Sequence, residues 1–347
     1  MRLSIGIFAH NEEGRIGRLI ESLTGQDLIK SPAGTGNRIE IITLANGCRD
    51  RTAQEANDGY RTLRESNSSI LARTEIIEAS GKSNAWNMYV HRFSDPLADF
   101  LICMDADITL VGAGTLSALI SALILNPKAR ISVDVILKDI TLKRRRTFTE
   151  RISIAATNLN QSGPVKLAGS LYCGRAAILR RVWMPTGLLV EDGFLKAMVA
   201  TDNLTQPEDP EAIIQSRHAA HTFEAVTNLR VLFHHETRLL IGTWMNVILF
   251  SHLRDVVTKT GETAGMLIQA WNAKKPEWFS SLLRNGSTHH GFLSFAWTTI
   301  SLPLRQAYSL HWTLCIIRLP IALLRCAFTG AALLSVSGRI RKNIYRW

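Results

Sequence analysis

Short apolar runs alternate with helical periodicities along the first third of the chain. Residues 3–9 are almost wholly apolar, as in a strand buried on both faces of a sheet, and residues 14–23 place four aliphatic side chains at the spacing of one helical face. The succession recurs with strands predicted at residues 39–44, 74–79 and 100–104, and with helices predicted at residues 51–65, 82–93 and 114–125. This alternation predicts a mostly parallel α/β sheet with helices on both faces.

Polar side chains follow three of the predicted strands, where a parallel sheet of this kind binds its ligands. They are His10, Asn11 and Glu12 after the first strand, Asn46 and Gly47 after the second, and Asp105 and Asp107 after the fourth. Because the carboxyl ends of parallel strands meet at one edge, we expect these groups to lie together. That edge is the predicted functional site.

Composition narrows the class of protein. The chain has 347 residues, 46% of them hydrophobic and 20% charged, which excludes a disordered or low-complexity chain and allows about two domains. Forty Lys and Arg residues against 29 Asp and Glu residues give a net charge of +11, so an anionic partner is expected. The five cysteines are scattered without metal-ligand spacing, which favours reduced thiols in a cytosolic compartment.

The end of the chain has a different composition. Residues 278–347 contain no Asp or Glu but keep eight Lys or Arg among long apolar runs, which is typical of segments that bind an anionic membrane surface. Between residues 308 and 328, His311, Arg318 and Arg325 recur every seven residues and would form one polar stripe on a helix. This favours a helix in the plane of the membrane interface, with a spanning helix or a soluble helical subdomain as alternatives.

Two acidic motifs are candidates for chemistry. Asp105 and Asp107 can both reach a divalent cation or its water shell from a turn after the fourth strand, and their hard oxygen ligands suit Mg²⁺ or Mn²⁺. Glu191 and Asp192 precede an apolar helix predicted at residues 194–199. Acidic residues in a first helical turn are also stabilised by the helix dipole, so this pair has a structural explanation as well.

Five short motifs, in this order, resemble family 2 glycosyltransferases of the GT-A fold. They are FAHNEE at residues 8–13, ANGCRDRT at residues 45–52, GKSNAWN at residues 81–87, DAD at residues 105–107 and ED at residues 191–192. The resemblance extends over about residues 1–240, which we expect to form the nucleotide-sugar-binding catalytic domain, with residues 241–347 as a helical, basic, membrane-associating region. It implies a Rossmann-like, mostly parallel sheet and inverting, metal-dependent transfer of a sugar from a nucleotide diphosphate donor to an acceptor hydroxyl.

The resemblance also implies roles on the donor side of the site. The expected nucleotide contacts are His10, Asn11, Glu12 and Asn46, with Lys82 near the phosphates and Asp105 at the ribose or at a metal-bound water. Ala45 departs from the family pattern, which carries an acidic residue there, and this leaves the donor base open. Asp50 fits either the family's Asp-x-Thr or a structural helix N-cap.

The remaining implied roles concern the metal and the acceptor. Asp107 is expected to bind Mg²⁺ or Mn²⁺ directly, Asp192 to be the catalytic base, and Glu191 to orient the base or the acceptor. After a strand predicted at residues 229–233, His234 or His235 is a candidate third metal ligand and Arg238 a candidate phosphate contact. Residues 169–175 resemble the segment that lines the sugar pocket, although Gly169 and Gly174 would also serve as plain turn residues. The poor match around Arg238 to the processive synthases' motif argues against processive polymerisation.

The setting of the reaction follows from the basic end of the chain. We expect a lipid-linked or cell-surface glycan acceptor and a peripheral or monotopic location at the cytoplasmic face of the inner membrane. The basic run at residues 143–146 lacks interleaved aromatics, so it predicts a loop near anionic phosphates, or a solvated loop, rather than a nucleic-acid site. Two alternatives stay open: a sugar nucleotidyltransferase, and a non-catalytic member that binds a membrane or a partner.

Overall fold

A computed structural model describes residues 1–30, 37–139, 165–224, 229–286 and 294–299, together with residues 292, 329–331 and 333. The basic run at residues 143–146 and the striped segment at residues 308–328 lie outside the described residues. What the sequence predicts for these two segments therefore stays a prediction.

One mixed sheet organises the described part of the chain. Its strands are β1 (Arg2–Ala9), β2 (Arg38–Asn46), β3 (Leu71–Ile77), β4 (Phe100–Asp105), β5 (Ile108–Leu110), β6 (Ile131–Lys138), β7 (Leu171–Arg175) and β8 (Ile213–Phe223), in the order β3-β2-β1-β4-β7-β6-β8-β5. The first four in this order are parallel, and β6 and β8 are parallel to each other. The other three pairs, β4–β7, β6–β7 and β5–β8, are antiparallel. The predicted α/β class is confirmed, and the parallel half carries the predicted strands.

Helices flank or follow this sheet. They are α1 (Ile16–Thr24), α2 (Asp27–Lys30), α3 (Thr52–Ser66), α4 (Lys82–Met88), α5 (Thr115–Leu125), α6 (Ala176–Leu179), α7 (Glu191–Ala200), α8 (Leu229–Thr260), α9 (Ala264–Lys274) and α10 (Trp278–Gly286), and a π-helical turn (Tyr89–Phe93) continues α4. All four predicted pairs of strand and helix are present.

One apolar face of α1 packs against the core of the sheet. Ile16, Leu19, Ile20 and Leu23 are all buried and belong to the same core as β1 and α3. Burying each such side chain contributes about 1.5–3 kcal/mol. This packing fixes the loop between β1 and α1, which carries the first group of predicted site residues.

Gly6 explains how the π-helical turn approaches β1. A Cβ at Gly6 would lie 2.7 Å from the ring of Tyr89, so only glycine allows this buried tyrosine to rest on the strand. The ring also meets Phe8 edge-on, with centroids 5.9 Å apart. The helix that begins with Lys82 is thereby anchored against the strand that ends beside His10.

The described residues fall into two compact units. One comprises the described residues within 1–185, 191–225 and 262–269 and holds the sheet. The other comprises the described residues within 186–190, 226–261 and 270–347 and holds α8 and α10. The boundary predicted between residues 240 and 241 falls inside α8, and as a functional division it stays a prediction. None of the helices in the described ranges combines the length and the apolar composition needed to cross a membrane.

The strand predicted at residues 229–233 is wrong, because these residues form the first turns of α8. A run of five mostly apolar residues fits a strand or a helix equally well by periodicity. The decision comes from further along the chain, where Thr237, Ile241, Trp244 and Ile248 are buried at helical spacing. The candidate ligands His234 and His235 are therefore neighbours on a helix and not on an extended strand.

Candidate active site

The carboxyl ends of β1, β2 and β3 border a cavity of about 720 Å³. Its polar lining includes His10 and Asn11 after β1, Arg49 and Asp50 after β2, and Glu78 and Ser80 after β3. The prediction that groups from separate strand ends gather at one edge is thus confirmed for β1 and β2. The contribution of β3 was missed, although the third predicted strand ends at the same edge and would have indicated it.

Hydrogen bonds between the first two loops shape this cavity. His10 Nδ1 lies 2.6 Å from the Asn46 carbonyl oxygen, and the Arg49 N–H donates to Asn11 Oδ1 over 2.8 Å. Asn11 has a φ of 56°, a left-handed conformation that asparagine tolerates better than most residues. His10 and Asn11 therefore face the cavity, whereas the Asn46 side chain is buried and its Oδ1 has no hydrogen-bond partner among the described residues.

Asp50 ties the same two loops together. Its carboxylate accepts the Glu13 N–H at 3.1 Å, the Thr52 N–H at 3.1 Å and the Thr52 hydroxyl at 2.5 Å. Burial alone would raise the pKa of Asp50, but these hydrogen bonds outweigh it and hold the pKa below its ordinary value. The bonds support the structural explanation of Asp50, although Arg51 and not Asp50 occupies the N-cap position of α3.

Glu12 faces the acidic pair that follows β4. Its carboxylate is bonded to the Arg15 guanidinium, with Nη1 and Oε2 3.0 Å apart. Burial raises the pKa of Glu12 above its ordinary value against this bond, and the negative charge of Asp107 adds to the rise. The sequence did not single out Arg15, which lies one helical turn after Glu12 and could have been found from that spacing.

Four polar residues from three segments of the chain lie together next to this edge. Lys82 begins α4 after Gly81, whose φ of 145° is one that other residues rarely adopt. The Lys82 Nζ lies 2.6 Å from Asp105 Oδ1 at the end of β4 and 2.8 Å from Glu191 Oε1 at the start of α7. Asp192 follows Glu191, and its Oδ1 accepts the Gly193 N–H at 2.7 Å. The donor-side and acceptor-side carboxylates of the prediction are therefore neighbours.

Burial and charge shift the pKa values of this cluster. Burial alone would lower the pKa of Lys82, but Asp105 and Glu191 outweigh it and hold that pKa above its ordinary value. Burial raises the pKa of Asp105 to about 6 against the stabilising Lys82 ammonium. Burial, and then the charge of Glu191, raise the pKa of Asp192 above its ordinary value. A raised pKa makes an ionised Asp192 a stronger proton acceptor.

The residues after β4 also fit a divalent cation. Asp107 is exposed, and no described residue forms a hydrogen bond or an ion pair with its carboxylate, whereas Asp105 is paired with Lys82. Across the described ranges no group of three or more His, Cys, Asp or Glu side chains is arranged to hold a metal ion. Mg²⁺ is commonly bound through one or two carboxylates, with substrate phosphates and water completing the shell, and Asp107 suits that mode.

The other predicted ligands lie on α8, in the second unit. Arg238 Nη2 donates to the Leu189 carbonyl oxygen over 3.1 Å. Burial and the charge of Arg238 lower the pKa of His235, which keeps this histidine neutral. The roles of His234 or His235 at the metal and of Arg238 at a phosphate stay predictions.

Comparison with known proteins supports the resemblance seen in the motifs. The family model described as Glycosyl transferase family 2 matches residues 4–184. No curated protein sequence matches the chain. Among solved structures, the mannosyltransferase PcManGT from Pyrobaculum calidifontis, in complex with GDP-Man and Mn²⁺, is similar with a TM-score of 0.52 and 13% identity over 97% of this chain and 86% of that chain.

A second similar structure is glucosyl-3-phosphoglycerate synthase from Mycobacterium tuberculosis, with a TM-score of 0.42 and 19% identity over 66% of this chain and 74% of that chain. The family model covers more than half of the 347 residues and includes the first four motifs of the resemblance. The protein is a mixed α/β chain of the GT-A type and belongs to glycosyltransferase family 2.

Proposed function

We propose that this glycosyltransferase is an inverting, metal-dependent enzyme that transfers a sugar from a nucleotide diphosphate donor to an acceptor hydroxyl. The observation that carries the proposal is the pairing of Asp105 and Glu191 with Lys82, which brings Asp192, the neighbour of Glu191, to the sheet edge that also borders the 720 Å³ cavity. A donor site and a proton acceptor are the two parts that such a transfer needs.

The cavity is proposed to hold the nucleoside of the donor. Its volume of about 720 Å³ lies in the range of pockets that enclose a ligand of nucleoside size. His10 and Asn11 offer polar contacts at one side, and Glu78 offers a carboxylate at the other. Glu78 can accept hydrogen bonds from base N–H groups, which the methyl side chain of Ala45 cannot do. The donor screen described below identifies the base.

Asp107, with Asp105 beside it, is proposed to hold Mg²⁺ or Mn²⁺ on the donor diphosphate. When bound there, the cation neutralises negative charge on the departing diphosphate. The protein's own part is to present an exposed carboxylate after a rigid strand. The partly buried Glu12–Arg15 pair borders the same acidic region.

Asp192 is proposed to be the general base. It takes the proton of the acceptor hydroxyl while that oxygen forms a bond to the anomeric carbon and the bond from that carbon to the diphosphate oxygen breaks on the opposite side. Attack from the opposite side inverts the configuration at this carbon. General base catalysis of this kind contributes about 10²–10⁴-fold to the rate.

The acceptor is proposed to be a lipid-linked or cell-surface glycan at the cytoplasmic face of the inner membrane. The support is compositional, because residues 278–347 carry eight basic residues and no acidic one among apolar runs. Such segments bind anionic headgroups through charge and through apolar contact.

A donor screen tests the proposed function. Purified protein, membrane extract and Mn²⁺ or Mg²⁺ are incubated with UDP-, GDP- and dTDP-sugars, among them GDP-mannose, the ligand of the similar mannosyltransferase. Release of nucleotide and labelling of the extract are measured for the unmodified chain, Asp107→Asn and Asp192→Asn. Asp58→Asn is the matched control, since Asp58 is an exposed aspartate that pairs with Arg61 on α3.

We expect one donor to be used, with both site variants reduced about 10²–10⁴-fold and the control unchanged. Proton NMR of the product gives the anomeric configuration and tests inversion. Formation of a nucleoside triphosphate and a sugar 1-phosphate when pyrophosphate is added to the nucleotide sugar would favour a nucleotidyltransferase. Absence of turnover with every donor would favour a non-catalytic member of the family.

A further inference from the structure

Lys82 is held by three segments that the chain brings together from a distance. Its ammonium contacts Asp105 at the end of β4 and Glu191 in the first turn of α7, at 2.6 Å and 2.8 Å, and it donates to the Gly169 carbonyl oxygen over 3.4 Å. An ammonium has three N–H donors, so these three oxygens match its capacity. The sequence alone indicates only a cation near the start of a helix.

The packing around this ammonium is close. A Cβ at Gly169 would lie 3.4 Å from both Glu191 Oε1 and Lys82 Nζ and 3.6 Å from Asp192 Cβ. The Glu191 side chain is only 10% exposed and those of Lys82 and Asp105 are about a quarter exposed, at 27% and 26%. Without the ammonium, two mostly buried carboxylates would face each other, and each would lose its ion pair with Lys82.

The two carboxylates belong to different parts of the proposed reaction. Asp105 lies on the donor side with Asp107, whereas Glu191 is the residue next to the proposed base. Because Glu191 and Asp192 share a peptide bond at the start of a helix, holding the Glu191 carboxylate also sets the position of the Asp192 carboxylate. A displacement of about 1 Å at a reacting group lowers a rate by about 10²-fold.

We propose that Lys82 is a positioning residue that ties the first turn of α7 to the end of β4 and so sets the proposed base relative to the donor. This inference rests on the proposed function for its catalytic consequence, but the tether itself is a property of the fold. This positioning role differs from a phosphate contact. Loss of a positioning residue should lower kcat, whereas loss of a phosphate contact should lower the affinity for the nucleotide.

The first test separates positioning from phosphate binding. Lys82→Met keeps most of the length of the side chain and removes the charge. Lys196→Met is the control, since Lys196 lies on α7, the helix of Glu191, and pairs with Glu208 outside the cluster at 3.6 Å. We expect Lys82→Met to lower kcat about 10²-fold while the Kd of the nucleoside diphosphate with Mn²⁺ changes by less than about threefold. Lys82→Arg, which keeps the charge, is expected to recover part of kcat. Loss of nucleotide affinity with unchanged kcat would overturn the proposal.

A double-mutant cycle tests whether Lys82 acts through Glu191. If it does, Lys82→Met in the Glu191→Gln background should add little to the loss of kcat, because the carboxylate that the ammonium holds is already neutral. If the losses of kcat in the two single variants add fully in the double variant, Lys82 does not act through Glu191.

Hydrogen exchange tests the tether without any activity. We expect Lys82→Met to speed amide exchange in α7 (Glu191–Ala200) and to leave the exchange of α5 (Thr115–Leu125) unchanged. Lys196→Met is expected to change the exchange of neither helix. If every donor fails but α7 loosens in this way, the tether stands and the proposed function falls. If α7 exchanges as in the unmodified chain, the tether is refuted whatever the activity. Lys82→Gln, which also removes the charge, repeats the test should Lys82→Met fail to fold.

Discussion

Asp192 combines partial burial with a like charge at its side, and this combination has a consequence for the dependence of activity on pH. Burial and the Glu191 charge both raise the pKa of Asp192 above the 3.8 of an ordinary aspartate. A general base must be ionised, so activity is lost as the pH falls through this raised pKa. The acid limb of kcat/KM for the acceptor is therefore expected above the range of an ordinary aspartate.

Substituting Glu191 should move this limb. Glu191→Gln removes one of the two causes of the raised pKa. It also leaves the charge of the Lys82 ammonium, which lowers the pKa of Asp192, less offset by a carboxylate. Both changes act in the same direction, so the acid limb of the remaining activity is expected at lower pH. The profile is measured at saturating donor against the unmodified chain. A limb that stays in place or moves to higher pH would show that Asp192 is not the titrating base.

Gly47 shapes the cavity through its backbone, and a pair of glycine variants separates strain from steric conflict. Gly47 has a φ of 61°, and a Cβ there would lie 2.8–3.0 Å from the Cβ, Cα and nitrogen of Ser80. Gly14 has a φ of 78° with open space around it. Gly14→Ala is expected to lower the free energy of unfolding by about 1–2 kcal/mol from strain alone. Gly47→Ala should lower it further and also weaken nucleotide binding.

Thermal or denaturant unfolding and nucleotide titration check this pair of variants. Weaker nucleotide binding is expected of Gly47→Ala because the loops after β2 and β3 must separate to admit the methyl group. These loops are joined by the hydrogen bond from the Gly47 N–H to the Ile77 carbonyl oxygen, at 2.7 Å. Equal losses of stability with unchanged nucleotide affinity would rule out the steric explanation.

At the level of elements, the loops after β1 and β2 act as one support for the cavity because Asp50 links them. Asp50→Ala removes the acceptor of three hydrogen bonds from Glu13 and Thr52. We expect the free energy of unfolding to fall by about 1–2 kcal/mol. Asp50→Asn, which keeps one amide oxygen, should lose less. Urea unfolding measures both variants, and equal stability of Asp50→Ala and the unmodified chain would contradict this role.

The sequence predicted correctly those helices and strands whose hydrophobic pattern lies within the element itself. The aliphatic positions of α1 repeat every three or four residues, so the helix and its buried face follow from the pattern alone. The first turns of α8 were predicted as a strand because the deciding buried residues, from Thr237 onward, come later in the chain. Short apolar runs are ambiguous by nature, and only the longer element resolves them.

The sequence could name candidate residues for the site, but it could not predict the contacts among them. Strand ends place Asp105 and Asp107 at one edge, and the family motif adds Glu191 and Asp192. The partners of Lys82 depend on tertiary contacts between positions 82, 105 and 191, and no local spacing encodes these. Glu78 belongs to no motif, and only the end of the third predicted strand at the same edge could have indicated its position in the cavity.

At the scale of the whole molecule, the net charge of +11 favours binding to anionic partners. Basic residues near a membrane surface contribute about 1 kcal/mol each, and residues 278–347 carry eight of them without an acidic residue. We expect the full chain to co-sediment with vesicles of phosphatidylcholine and phosphatidylglycerol and to bind pure phosphatidylcholine vesicles much more weakly.

Salt separates the two contributions to this binding. Raising the ionic strength from about 0.1 M to about 1 M shortens the screening length from about 10 Å to about 3 Å, so the part due to charge should disappear and the part due to apolar contact should persist. Replacing Arg318 and Arg325 by Gln should weaken binding to anionic vesicles, whereas Arg61→Gln, an exposed arginine on α3, should not. Equal binding to neutral and anionic vesicles, or an equal effect of the two sets of substitutions, would refute an electrostatic role of residues 278–347.

Since the proposed acceptor is lipid-linked, transfer to membrane extract should fall with vesicle binding in the double variant, while release of nucleotide with a soluble acceptor analogue should not.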